Sequence, residues 1–192
     1  MQAGKRGGNP LNRRMFVCAL ALAGTAPAQE RKQPVEKLAP YLPTPPLVVE
    51  RMLQFAAVKP GEKLYDLGSG DGRIVILAAQ KFQADATGVE IDEQLVKESS
   101  ARIHSLGLDG KARIVQGDLL QQDYSPADVL MVYLLPSAND KLRPILERQL
   151  RNGTRIVAHD FPFRGWTPER DQFIEDDGAG RSHTLFLYVI HK

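Results

Sequence analysis

Apolar and polar positions alternate in a helix-and-strand rhythm along most of the chain. In TPPLVVERMLQFAAV (residues 44–58), Leu47, Val48, Met52, Phe55 and Ala56 fall on one face at helical spacing. Thr44 is the expected N-cap, with Pro45 at the first helical position, where its missing N–H costs nothing. From Lys63 to Asp92 the run KLYDLGSGDGRIVILAAQKFQADATGVEID predicts a strand ending at Asp66, a glycine turn, a helix and a second strand ending at Glu90. Asp92 is placed to cap a helix to about Leu106, followed by the strand ARIVQ from Ala112 to Gln116. The run ADVLMVYLL (Ala127–Leu135) is apolar almost without alternation, as in a parallel strand buried on both faces. A helix opening at Ser137 or Asn139 should reach about Leu150 and close at Gly153, before a fifth strand from Arg155 to His159. Gln172–Glu175 and Thr184–His191 flank an Asp- and Gly-rich turn and predict an antiparallel hairpin.

Strands alternating with helices predict an α/β fold: a mostly parallel sheet with helices on both faces and the hairpin added at its C-terminal end. At 192 residues, 43% hydrophobic and 25% charged, the chain has room for one such domain, over residues 41–192. Its charge changes meaning once divided. The net charge is +2, but residues 1–28 hold Lys5, Arg6, Arg13 and Arg14 and no acid, so the remainder carries 2 − 4 = −2. A mildly acidic body argues against a broad nucleic-acid footprint, and no nucleic-acid partner is expected.

Residues 1–28 read as a targeting leader. Asn12-Arg13-Arg14-Met15-Phe16 resembles a twin-arginine export signal, the apolar run Met15–Gly24 follows, and Ala26-Pro27-Ala28 is a small-x-small cleavage pattern. The alternative is an extension ahead of a start at Met15. The leader implies export to a periplasm-like compartment, or a tether to the membrane, against a cytoplasmic alternative. Residues 29–40 read as a proline-punctuated linker. Cys18, the single cysteine, lies inside the leader, so the body offers no thiolate zinc site, disulfide or cysteine nucleophile. The pattern singles out no metal-ligand set.

The glycine turn carries the chemistry. Gly68, Gly70 and Gly72 let the backbone turn tightly and approach a ligand, and the helix that follows starts with amide N–H groups that favour an anion. Glu90, at the end of the neighbouring strand, is placed for ribose hydroxyls. The third glycine follows the second by two positions, not the three of dinucleotide enzymes, and Asp118 closes the next strand as a third acid.

Asp66-Leu67-Gly68-Ser69-Gly70-Asp71-Gly72, with Glu90 and Gly117-Asp118, resembles the class I S-adenosylmethionine-dependent methyltransferases. The likeness covers residues 41–192 and implies a Rossmann-like sheet with S-adenosyl-L-methionine as cofactor. It implies that Asp66, with the backbone at Gly68, Ser69 and Gly70, holds the methionine part. Glu90 would take the ribose, Asp118 and the Leu119 backbone the adenine edge, and Ile91 the adenine face. PYLPTPPLVVERML and VYLLPSANDKLRPILERQLRNGTRIVAHDFPF further resemble the small lysine methyltransferases of the mitochondrial ATP synthase c-subunit and the adenine nucleotide translocase. More distantly they resemble histone lysine methyltransferases without a SET domain, which carry an Asn-Asn-Phe-type run where this chain has Tyr133-Leu134-Leu135.

That likeness implies that the entry segment, Tyr41, Thr44 and Pro45, folds over the cofactor. Tyr133, Leu134 and Pro136 would then position the acceptor, a protein lysine, or alternatively a small molecule. His159-Asp160 is a candidate general base, although a strand-end histidine is more often structural. Phe163 and Trp166 either line the acceptor mouth or pack. A non-catalytic S-adenosylmethionine-binding module is the other alternative.

Overall fold

The computed structural model describes Met1 and residues 41–192. The expected leader and linker lie outside the described residues. The chain forms α1 (Pro46–Phe55), β1 (Lys63–Leu67), α2 (Arg73–Phe82), β2 (Asp85–Glu90), α3 (Glu93–Ser105), β3 (Ala112–Gln116), a 3-10 turn (Leu119–Gln121), β4 (Val129–Val132), α4 (Pro136–Gln149), β5 (Arg155–His159), β6 (Arg170–Ile174) and β7 (His183–Val189). The seven strands form one sheet in the order β3-β2-β1-β4-β5-β7-β6. Only β7 runs against the others, pairing antiparallel with both β5 and β6. The expected α/β class and terminal hairpin are both present.

From β1 the chain winds outward to β2 and β3, then returns to β4 and winds the other way. The strand order therefore reverses between β1 and β4, and a crevice opens at their carboxyl ends. The sheet is buried on both faces, and β4 shows why its sequence is so apolar. Val129 and Met131 pack with α1 and α2, whereas Leu130 and Val132 pack with Leu142 and Leu146 of α4. In α1, Val48, Val49, Met52 and Leu53 are almost fully buried, each contributing roughly 1.5–3 kcal/mol.

Several boundaries differ from expectation by a few residues, and three of them have a clear local reason. Thr44 does not cap α1; Pro45 does, in an extended conformation, with no side-chain cap hydrogen bond. Pro45 precedes Pro46, and a residue before proline is pushed out of the helical region, so the helix starts at Pro46. The fourth strand stops at Val132, because Leu135 takes the N-cap and Pro136 the first position of α4. Helix α4 ends where Leu150 turns extended, and Gly153 sits in the turn beyond, its N–H donating to the Ile190 carbonyl. Asp92 caps α3 as expected, accepting from the N–H groups of Gln94 and Leu95.

Candidate active site

The crevice at the strand ends is an open cleft, lined from the carboxyl ends of β1, β2 and β4 and from the segment ahead of α1. Tyr41, Thr44, Asp66, Gly68, Ser69, Gly70, Glu90, Ile91, Asp118, Leu119, Tyr133 and Leu134 all line it. Pro45 and Pro136, expected in the site, stand outside the lining; Pro45 is the N-cap of α1 and Pro136 opens α4 instead.

The three strand-end acids have different environments. Glu90 is anchored: its Oε2 accepts from the Gly70 N–H at 2.8 Å, and its Oε1 from the N–H groups of Ile91 and Asp92 at 2.8 and 2.9 Å. Three of roughly four lone-pair sites are thereby taken, so a second ligand hydroxyl would have to displace a backbone donor. Asp118 caps the 3-10 turn through Leu120 N–H at 2.9 Å and keeps Oδ2 on Gln121 at 3.3 Å. Asp66 is buried, and no described residue hydrogen-bonds its carboxylate. Burial, then the nearby charges of Glu90 and Asp71, push its pKa up to about 8. A buried acid without donors, facing a cleft, fits a cationic ligand group such as the amino group of a methionine moiety. The Ser69 hydroxyl, also buried without a partner, offers a further polar contact.

The entry segment is fastened over this cleft by residues that sequence reading passed over. Arg73 donates from Nε and Nη2 to the two Asp71 oxygens at 2.9 and 2.7 Å, and from Nη1 to the Thr44 carbonyl at 2.7 Å. Burial works against the Asp71 carboxylate, but the hydrogen bonds and charge of Arg73 outweigh it and hold its pKa below the usual range. The Tyr41 ring lies over Gly70, where a Cβ would come within 2.5 Å of it, so glycine is required at this close approach. Arg73 and Asp71 also face the Tyr41 hydroxyl, whose pKa is raised by burial and then by Asp71. A readable signal existed: an arginine at the first position of a helix opposes the helix dipole, and such local conflicts mark functional positions.

On the acceptor side, Tyr133 is half-buried, and its phenol pKa is raised by burial and then by Asp160, with Arg181 opposing. Leu134 is 5% exposed and turned inward; a Cβ at Gly68 would lie 3.1 Å from its Cδ2. The Leu134 side chain thus packs on the glycine turn, leaving its backbone as the polar group on that wall. The Tyr133 ring lies against His159, centroids 3.9 Å apart and planes tilted by 32°. His159 is fully buried, and burial holds its pKa down to about 4 against the pull of Asp160. It is neutral at pH 7 but a weak base, and it stands outside the cleft lining, which favours the structural reading over the candidate general-base role. Phe163 and Trp166 pack with Tyr188, and the Trp166 indole donates to Glu147; neither lines the cleft.

Residues 66–170 match the family model described as the ANTKMT methyltransferase domain. A protein-lysine N-methyltransferase of Saccharolobus islandicus is 45% identical over 152 residues, which are 79% of this chain and 93% of that protein. The human lysine N-methyltransferase of the ATP synthase c-subunit is 35% identical over 68% of this chain, and the match spans about half, 55%, of its length. Among solved structures, an RNA methyltransferase from Salinibacter ruber in complex with S-adenosyl-L-homocysteine is 46% identical, with a TM-score of 0.72, over 78% of this chain and 94% of that one.

Proposed function

Because this chain belongs to the family of the ANTKMT methyltransferase domain, an S-adenosylmethionine-dependent methyltransferase family, we propose that it methylates the side-chain amine of a protein lysine. The cofactor supplies a methyl group already activated on a sulfonium, so the protein's task is alignment more than covalent help. Asp66 is the counter-charge for the amino group, Ser69 and the Gly68 and Gly70 backbone frame the carboxylate end, and Glu90 holds the ribose. Asp118 and Leu119 face the adenine edge, and Ile91 packs on the ring. Tyr41 and Thr44 cover the site.

A lysine acceptor must arrive neutral. The apolar wall at Leu134, with Tyr133 beside it, disfavours the ammonium form and so lowers the acceptor's pKa. The Tyr133 hydroxyl and the backbone at Leu134 can orient the free amine. No described residue is assigned as an obligatory base.

The relatives' names divide between protein and RNA, and one observation favours protein. The single basic side chain lining the cleft among the described residues, Arg73, is already engaged with Asp71 and the Thr44 carbonyl. A nucleic-acid acceptor needs cations for its phosphates, and the mildly acidic body supplies no surplus. RNA is therefore the second reading, resting on the Salinibacter ruber relative. Deleting the gene and comparing methyl-lysine marks by mass spectrometry tests the proposal. At least one lysine should lose its mark and regain it with the wild-type chain but not with Asp66→Ala; an unchanged set of lysine marks would contradict it.

We also propose that residues 1–28 act as a twin-arginine-type leader or a membrane tether, supported by the Arg13-Arg14 pair ahead of an apolar run. No helix among the described residues is long and apolar enough to cross a membrane. Sequencing the mature N-terminus from fractionated cells should find cleavage near Ala28 or membrane-bound chain; an intact N-terminus in the cytosolic fraction would contradict both.

A further inference from the structure

At the carboxyl end of β5 the fold assembles three side chains that the cofactor cleft does not use. His159 closes β5, Asp160 follows it with a left-handed φ of 58°, and His183, 24 positions on, opens β7. Because β7 runs antiparallel to β5, its first residue lies at the same sheet edge as the last of β5. His159 Nε2 is 2.9 Å from His183 Nδ1, which is 2.9 Å from Asp160 Oδ2, and that oxygen is 3.3 Å from His159 Nε2. All three atoms touch one another.

Proton assignment at this junction is poor. Asp177, itself held by the N–H groups of Ala179 and Arg181 and by the Arg181 guanidinium, faces His183 Nε2 at 3.3 Å. If His183 carries its proton on Nε2 for Asp177, its Nδ1 presents a lone pair to the Asp160 oxygen. If the proton sits on Nδ1 instead, Nε2 presents a lone pair to Asp177. A doubly protonated His183 satisfies both carboxylates, but a neutral His159 then sets either its Nε2–H against the His183 Nδ1–H or its Nε2 lone pair against the Asp160 oxygen. A proton serves one or two edges of this triangle; a cation seated against its face and bound to all three atoms replaces every edge.

We propose that His159 Nε2, His183 Nδ1 and Asp160 Oδ2 form a three-ligand site for a divalent transition-metal cation of the zinc type. Ligand atoms bound at about 2.0–2.2 Å to one ion, at angles between 90° and tetrahedral, lie about 2.9–3.4 Å apart, which is the spacing found here. Two imidazoles and one carboxylate are the donor set that borderline cations take, in place of the all-oxygen shell of calcium or magnesium. Asp177 is the outer carboxylate that fixes His183 with Nε2 protonated and Nδ1 free to ligate. Both histidines are buried, and Asp160, with 27% of its side chain exposed, gives the ion its path in. Bound there, the ion ties the ends of β5 and β7 together beside the Tyr133 ring that lies against His159.

The test uses the full chain treated with chelator and then titrated with zinc chloride alone, followed by calorimetry, metal analysis and thermal unfolding. The proposal expects one equivalent bound and a higher Tm, with both lost in His183→Ala and in Asp160→Asn. Retained S-adenosylmethionine binding shows that each variant is folded, since neither residue lines the cleft. Absence of stoichiometric uptake by the wild-type chain would overturn the site, as would uptake unchanged in the two variants. Ring-nitrogen NMR showing His183 doubly protonated in the presence of zinc would assign the junction to a proton and overturn it too. These readouts do not depend on which acceptor the enzyme methylates.

Discussion

Asp66 and Glu90 are both carboxylic acids at neighbouring strand ends, yet they stand to folding in opposite ways. Glu90 accepts three backbone N–H bonds that hold the glycine turn, whereas Asp66 is buried with no donor and a pKa near 8. Replacing Asp66 by Asn should therefore stabilise the ligand-free protein, raising Tm by about 2 °C or more, while weakening S-adenosylmethionine by about 1–3 kcal/mol. Glu90→Ala should lower both Tm and affinity. The sign of the pH effect follows from the raised value. With a folded pKa of about 8 against 3.8 unfolded, the contribution of Asp66 to ligand-free stability is full below pH 4 and is lost as pH rises through 8. Binding a cationic amino group needs the carboxylate, so affinity should climb with pH, by up to about tenfold per unit, and level off above 8. Calorimetry from pH 6 to 9 checks this; a flat profile in wild type, or a slope that survives in Asp66→Asn, would contradict it. The position of Asp66 is plain in the sequence. Its lack of partners is not, because that depends on what the folded neighbours leave unoffered.

The entry segment and α1 act as one cover, and their fastening lies on another element. Arg73, at the start of α2, reaches back to the Thr44 carbonyl and braces Asp71. Arg73→Gln should loosen residues 41–48, weaken S-adenosylmethionine about three- to thirtyfold, and speed amide exchange at the start of α1. Unchanged affinity with unchanged protection would show that the cover holds without this tie. The identity of every α-helix and strand was legible from periodicity, whereas the 3-10 turn Leu119–Gln121 was not, because three residues are too few to show a period. The ends of the elements were less legible. The start of α1 could have been placed from the Pro45-Pro46 pair, since the constraint before a proline is local. By contrast, nothing local announces that His159 and His183 meet, as an antiparallel strand pairing brings them together.

Over the whole molecule, the reversal of strand order between β1 and β4 gathers Asp66, Glu90, Asp118 and Tyr133 at one sheet edge. The cofactor end of that edge was readable because its acids close consecutive strands after a glycine turn. The acceptor end was less readable. It is built from a short stretch after β4 whose residues serve different ends: Tyr133 borders the cleft with its ring against His159, Leu134 packs onto Gly68, and Pro136 opens α4. The central claim is that this edge moves a methyl group to the nitrogen of a protein lysine, and it is tested most directly by following the methyl itself. Purified chain incubated with methyl-deuterated S-adenosylmethionine and matched protein and RNA fractions, then digested for tandem mass spectrometry, should place the deuterated methyl on a lysine side chain, with Asp66→Ala placing none. Label confined to RNA nucleotides, or absent from every acceptor despite bound cofactor, would contradict the account.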